Sequence, residues 1–377
     1  MSNEQVAMSN ERKQSKLDEL IQQYCPDGVE YKELQAILKI KNGSDYKAYG
    51  EGDIPVYGSG GIMTYIDRYV YNKPSVLIPR KGSIDKLYYV DTPFWNVDTI
   101  FYTEINTDLA IPRYVYHCLL REHLEQYNTA GGVPSLTQKV LNKIQIPLPP
   151  LEVQSEIVRI LDNFTELTAE LTAELTARKK QYEYYRRKLL TFGEDIPVFQ
   201  IKEIGTVSIG EFVHKSKQNP NAQYPVFNGG ISNTGFYNDF NRTANKVIIS
   251  ARGANAGFVN RVFTNFWSGN SCYTIDIPNG KVDWNYAYFW MKSNETKLLG
   301  DQQKGGIPAI SKKQVEEFQI PVPPIEEQRR IVSILDKFDM LATSISEGLP
   351  KEIELRRKQY EYYRNQLLSF PDNKATA

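Results

Sequence analysis

Gly131-Gly-Val-Pro-Ser-Leu-Thr-Gln-Lys139 runs on to Gln145-Ile-Pro-Leu-Pro-Pro150, and Gly305-Gly-Ile-Pro-Ala-Ile-Ser-Lys-Lys313 runs on to Gln319-Ile-Pro-Val-Pro-Pro324. Both pieces recur at an offset of 174 positions, which marks an internal duplication of the whole chain rather than a chance match. Working outward, Pro55-Val-Tyr-Gly58 returns as Pro225-Val-Phe-Asn228 at offset 170, and Phe94-Trp95 as Phe266-Trp267 at offset 172. Downstream, Gln181-Tyr-Glu-Tyr-Tyr-Arg186 is repeated letter for letter as Gln359-Tyr-Glu-Tyr-Tyr-Arg364 at offset 178.

Each globular half reads as mixed α and β. Short β-rich runs, Val76–Pro79 and Val247–Ser250, lie between Gly, Asn and Asp turns. A helix is expected over Arg113 to Gln126, with Trp284 to Lys292 as its counterpart. After each Pro-Pro a long helix begins, with Glu152 and Glu326 in the first turn where the dipole favours negative charge. Ile157, Ile160, Phe164, Leu167 and Leu171 step by 3 and 4, as in a coiled-coil seam. Thr168-Ala-Glu-Leu171 is then duplicated as Thr172-Ala-Glu-Leu175, so Leu175 adds a second step of 4 before Tyr182 and Tyr185 resume the rhythm. In the second helix, Gly348-Leu-Pro350 predicts a kink or loop, because an interior proline costs about 3 kcal/mol.

The fold class is therefore α+β, with two globular domains over 1–148 and 194–322, helices over 149–193 and 323–377, and a flexible stretch over 1–15. Two domains also fit the length of 377 residues. No apolar run is long enough to span a membrane, residues 1–20 lack a signal-peptide core, and Cys25, Cys118 and Cys272 are few and scattered. A cytoplasmic protein without disulfides is expected.

The formal net charge is zero, which argues against a nucleic-acid binder. Its distribution softens that objection: residues 197–318 hold 13 basic against 9 acidic side chains, whereas 28–143 hold 13 of each. No phosphate-binding Gly-x4-Gly-Lys loop and no Asn/Asp-Pro-Pro-Tyr/Phe motif of an amino-methyltransferase is present. His117, His123 and His214 lack metal-ligand spacing, so no catalytic residue and no metal are expected.

Pro149-Pro-Leu-Glu-Val-Gln154, Pro323-Pro-Ile-Glu-Glu-Gln328 and the Thr-Ala-Glu-Leu doublet, set in this doubled frame, resemble the specificity subunits of type I restriction-modification systems. The resemblance covers nearly the whole chain. It implies two target recognition domains held apart by an antiparallel coiled coil. Each domain would read one half of an asymmetric, interrupted site in double-stranded DNA. It also implies two methyltransferase subunits docked alongside, restriction subunits joined through them, and S-adenosylmethionine bound by the partner rather than by this chain.

Candidate DNA contacts follow from side-chain chemistry. The turns Arg80-Lys81-Gly82-Ser83 and Arg252-Gly253-Ala254-Asn255 are read as corresponding, Arg80 with Arg252, and follow β-like runs in both halves, where a cation beside glycine can meet a phosphate or a guanine edge. A solvated hairpin turn is the alternative. Tyr57, Ser59, Asn228 and Asn233 occupy glycine-rich loops, where reading adenine and ordinary turn chemistry are equally open. Lys139, Lys312 and Lys313 are phosphate candidates or solvent-facing lysines. Leu167, Leu171, Leu175, Tyr182, Tyr185, Tyr360 and Tyr363 fall on the helix seam and are assigned to packing, spacing and partner docking. A coiled-coil scaffold that never touches DNA and a stand-alone modification enzyme remain the other two classes.

Overall fold

The computed structural model describes residues 16–128, 131–278, 280–300, 307–342 and 348–373. The expected flexible stretch over 1–15 and the glycines Gly305 and Gly306 lie outside them. The principal helices are α1 (Pro112–Arg121), α2 (Leu151–Leu189), α3 (Trp284–Ser293), α4 (Ile325–Ala342) and α5 (Leu349–Leu367). The chain divides into two compact units: one runs up to Leu171 and takes in the chain from Ile353 onward, the other is Thr172–Glu352.

In the first unit, β2 (Leu38–Lys41), β8 (Ile100–Ile105), β5 (Ser75–Pro79) and β6 (Tyr88–Val90) form one sheet in that order. β4 (Gly61–Ile66), β3 (Ile54–Gly58) and β7 (Trp95–Asn96) form a second. β1 (Tyr31–Glu33) pairs antiparallel with β9 (Gln145–Pro147). The second unit repeats all three sheets. The four-stranded one is β11 (Thr206–Ile209), β17 (Cys272–Asp276), β14 (Lys246–Ser250) and β15 (Val259–Val262). Its companions are β13 (Gly235–Tyr237), β12 (Tyr224–Phe227), β16 (Trp267–Ser268) and the pair β10 (Val198–Gln200) with β18 (Gln319–Pro321).

The Phe-Trp landmark closes the small sheet in each copy. β3 and β12 pair parallel with β7 and β16, placing Val56 beside Trp95 and Val226 beside Trp267. Phe94 and Phe266 are fully buried, and each tryptophan ring N–H donates to a carbonyl, Ser44 O at 3.0 Å and Glu211 O at 2.8 Å.

The first-domain helix stops at Arg121, short of the expected Gln126. His123 adopts a left-handed φ of 46° and a separate 3-10 turn follows at Leu124–Tyr127. Tyr114 of α1 and Tyr286 of α3 are buried and donate to Pro147 O (3.0 Å) and Pro321 O (2.8 Å), the same strand end in each copy.

The Pro-Pro-x-Glu-x-Gln motif has a mechanical role. Gln154 is fully buried; its amide donates to Pro149 O (2.8 Å) and Leu109 O (2.9 Å), and its oxygen accepts from Ile111 N (2.8 Å). Gln328 repeats this with Pro323 O (2.7 Å), Lys281 O (3.0 Å) and Asp283 N (2.8 Å). One glutamine thus ties the first turn of the long helix to the loop feeding α1 or α3, satisfying backbone groups that burial would otherwise leave unpaired.

α2 is continuous over 39 residues. In the first unit Ile157 and Leu161 share a core with Tyr360, Tyr363 and Leu367 of α5, and Phe164 stacks on Tyr363 at 5.1 Å. In the second, Tyr185 stacks on Phe338 of α4 at 5.4 Å. The second helical segment breaks at Gly348, as Gly348-Leu-Pro350 predicted: Gly348 has φ +83°, and α5 starts with Pro350 in its first turn, where no backbone N–H is needed.

Candidate nucleic-acid interface

Three loops distant in sequence converge in each unit. In the first, Arg80 N donates to Thr99 O (2.8 Å), Gly82 N to Pro134 O (3.0 Å), and Leu136 N to Arg80 O (2.9 Å). In the second, Ala251 N donates to Ser271 O (2.8 Å), Gly253 N to Pro308 O (2.9 Å), and Ile310 N to Ala251 O (3.0 Å). Gly82 and Gly253 hold φ of +81° and +93°, a left-handed turn that side chains disfavour. The third loop is that of Tyr57–Gly61: Ser59 N donates to Thr99 Oγ1 (3.3 Å), and its carbonyl accepts from Tyr88 OH (3.2 Å). Its counterpart carries Asn228, whose oxygen accepts from Ser271 N (3.1 Å).

These bonds fix a register that letter matching misses by one. Gly82 superposes on Gly253, so Lys81 is the partner of Arg252, and Arg80 that of Ala251. Lys81 and Arg252 are exposed, whereas Arg80 is half-buried with its guanidinium 5.7 Å from the Phe101 ring. Ser83 is half-buried and Asn255 exposed. Tyr57 packs against Tyr88 and Phe94; burial first, then Tyr65 and Asp91, push its hydroxyl up, so it stays neutral. Asn233 is half-buried.

Lys139 and Lys312 with Lys313 lie on the short helices Gln138–Leu141 and Lys312–Glu316, capped by Thr137 and Ser311 just beyond the loops of Pro134 and Pro308. Lys139 borders a cleft with Tyr31, Tyr127 and Lys143. Lys312 and Lys313 pair with Glu316 (3.3 Å) and Glu317 (3.8 Å). Among the described residues no cluster of three metal-ligating side chains occurs, and no helix is long and apolar enough to cross a membrane.

The helix motif takes the same form twice. Tyr182 is buried and Tyr360 half-buried beneath Arg186 and Arg364, each guanidinium 5.4 Å from its ring, and burial pushes both hydroxyls up to about 12. Tyr184 and Tyr362 are exposed, edge-on to Tyr185 and Tyr363 at 5.4 and 5.5 Å. Leu167, Leu171 and Leu175 are half-buried along one side of α2.

Two features escaped sequence reading. One is the pair of buried glutamines, whose signal was present in the repeated Pro-Pro-x-Glu-x-Gln. The other is Arg261 on β15, bonded to Asp336 and Asp339 of α4, which has no arginine at the matching position of the first copy.

The model of the type I restriction modification DNA specificity domain matches residues 26–178 and again 193–355. The chain belongs to the type I specificity family. A putative type I restriction enzyme specificity subunit of Haemophilus influenzae is 32% identical, covering 91% of this chain and 96% of that protein. The Escherichia coli EcoR124I/EcoR124II specificity subunit is 37% identical over 71% of this chain and 73% of its own length. The crystal structure of the type I S subunit from M. genitalium shares the fold, with a TM-score of 0.68, 17% identity and coverage of 91% and 97%. In this doubled loop cluster the two copies keep the same tethering backbone bonds while presenting Arg80-Lys-Gly-Ser83 in one and Ala251-Arg-Gly-Ala254 in the other.

Proposed function

We propose that this chain is a sequence-specific DNA-binding subunit that recognises an asymmetric bipartite site, one half-site per globular domain. It directs two methyltransferase subunits, and restriction subunits through them, to methylate adenine or cleave DNA in the cytoplasm. The partner methyltransferase binds S-adenosylmethionine, and this chain contributes no chemistry of its own. The domains follow the division over 1–148, 149–193, 194–322 and 323–377.

One observation carries this reading: a turn tethered by the same backbone bonds, built twice, presents Arg-Lys-Gly-Ser in one copy and Ala-Arg-Gly-Ala in the other. Equal scaffolds with unequal side chains suit two similar heads reading two different half-sites. The test is to express the chain with its partner subunits and map methylated adenines across the genome. A two-part motif with unequal halves and a fixed gap is expected. Methylation independent of the chain, or a continuous motif, overturns the proposal.

A further inference from the structure

Val133 and Ile307 are the most solvent-exposed large apolar side chains among the described residues, at 69% and 72%. They occupy the same place in the two copies, one residue before the proline whose carbonyl accepts from Gly82 or Gly253. Each is therefore on a loop tethered to the turn that carries an exposed cation, Lys81 or Arg252. Isolated bridges Lys81 with Ser135 and Arg252 with Ala309 lock the two strands of that arrangement together.

A β-branched side chain stands in water twice, at equivalent positions of the repeated Gly-Gly-x-Pro landmark, and covering it would remove apolar surface from water. The surroundings specify what covers it. From Gly131 to Lys143 the chain carries two lysines and no acidic residue, and in the second copy Lys312 and Lys313 follow Ile307 closely, paired with Glu316 and Glu317. A stiff apolar tip beside a cation matches DNA: the cation meets the phosphate, and the tip enters between base pairs and unstacks them.

We propose that Val133 and Ile307 are apolar wedges, each inserted into a base step of its own half-site while Lys81 or Arg252 holds the adjacent phosphate. This rests on the DNA-reading function proposed above. Insertion at one step per half-site bends the duplex locally and makes the deformability of that step part of what is recognised.

The test uses the chain assembled with its methyltransferase subunits, on duplexes carrying 2-aminopurine in either half-site away from the methylated adenine. The unmodified complex is expected to raise the fluorescence in both halves. Val133→Ser should abolish the rise in one half only and Ile307→Ser in the other, each weakening binding about 10- to 100-fold, the equivalent of one buried side chain. Val133→Ile and Ile307→Val should retain the signal, and the salt dependence should not change. Specific binding with no unstacking in either half, or Ser variants that keep the rise, overturns the wedge and leaves the DNA-reading function standing. Ser variants that fail to assemble with the methyltransferase without DNA assign these residues to a protein contact and also overturn it. Absence of any specific binding by the unmodified complex overturns both.

Discussion

The guanidinium of Arg261 donates to the Asp336 carboxylate at 2.6 Å, joining strand β15 of the second domain to helix α4. It also donates to Asp339 (2.7 Å) and lies 4.6 Å from the Tyr288 ring. In the first domain the matching carboxylate, Asp162, is met instead by Arg113 of α1 at 2.8 Å, with the guanidinium 4.7 Å from Tyr89. Tyr89 stands where Arg261 does, and Arg113 where Asn285 does. The same cation reaches the same acid from opposite elements, so the joint between domain and helix is kept by physics rather than by letter.

Arg261→Met should therefore destabilise the second domain. Only 10% of the Arg261 side chain is exposed, and its loss removes the cation that the Asp336 and Asp339 carboxylates share. Because Asp336 keeps 36% of its side chain in water, the loss is expected at about 2 to 3 kcal/mol, below the full value for a buried pair. Chemical denaturation followed by tryptophan fluorescence measures it. Arg113→Met should cost less, since Arg113 is 26% exposed.

Gln328→Ala or Gln154→Ala should each cost about 3 kcal/mol, because three backbone groups lose their partner at once. Gln328→Glu should be worse. It sets a carboxylate against the carbonyls of Pro323 and Lys281, to which the amide now donates. Thermal unfolding of the three variants gives the order; equal stability of Gln and Glu would show that this clamp contributes nothing.

The first domain should lose stability in mild acid. His117 is fully buried between Tyr360 OH (2.9 Å) and Asp162 (2.9 Å), and burial lowers its pKa below the usual 6.5 despite the Asp162 hydrogen bond. A base whose folded pKa is depressed contributes stability that is complete above about pH 6.5 and is lost as the pH falls through the folded value. Asp162, held below the usual carboxylate range by His117 and Arg113 against the opposing effect of burial, loses its contribution in the same direction at lower pH. The second copy carries Phe289 at the position of His117. His117→Phe should flatten the denaturation midpoint between pH 5 and 7, and an unchanged slope would place the acid sensitivity elsewhere.

The doubling, the long helices and the break before Leu349 were legible in the sequence because each depends on local chemistry: identical landmarks, a 3–4 apolar step, a glycine beside a proline. What was not legible depends on contacts between distant segments. The Arg261 and Arg113 exchange leaves no matching letter at either position. Pairing Arg80 with Arg252 was one residue out of register, since only the hydrogen bonds of Gly82 and Gly253 to the proline loops reveal which residues are equivalent. The exposure of Val133 and Ile307 depends on the same tethering, and their identity alone would assign them to a core.

Lys81→Ala and Arg252→Ala should leave folding unchanged, since both side chains are exposed. Each should weaken DNA binding and lower the slope of log K against log salt by about 0.9, the value for one phosphate contact. Fluorescence anisotropy titrations between 50 and 200 mM salt, about the range where such slopes are read, supply the comparison. A loss of affinity for the cognate site only, with the slope intact, would assign that residue to a base edge.

Deleting Thr172–Leu175 removes one Thr-Ala-Glu-Leu unit from the continuous helix α2, where Leu171 and Leu175 are half-buried on one side. Four residues amount to about 6 Å of rise and about 40° beyond a full turn, so the apolar side is nearly restored and the helix should survive. If the helix sets the separation of the two reading heads, the gap between half-sites should shrink by roughly one to two base pairs at about 3.4 Å each. Both half-sites should keep their sequence, because the loops proposed to read DNA are unaltered. Mapping methylated adenines for the deletion variant reads gap and half-sites in one experiment. A shortened gap with unchanged halves supports the helix as the ruler, and an unchanged gap assigns the spacing to other elements.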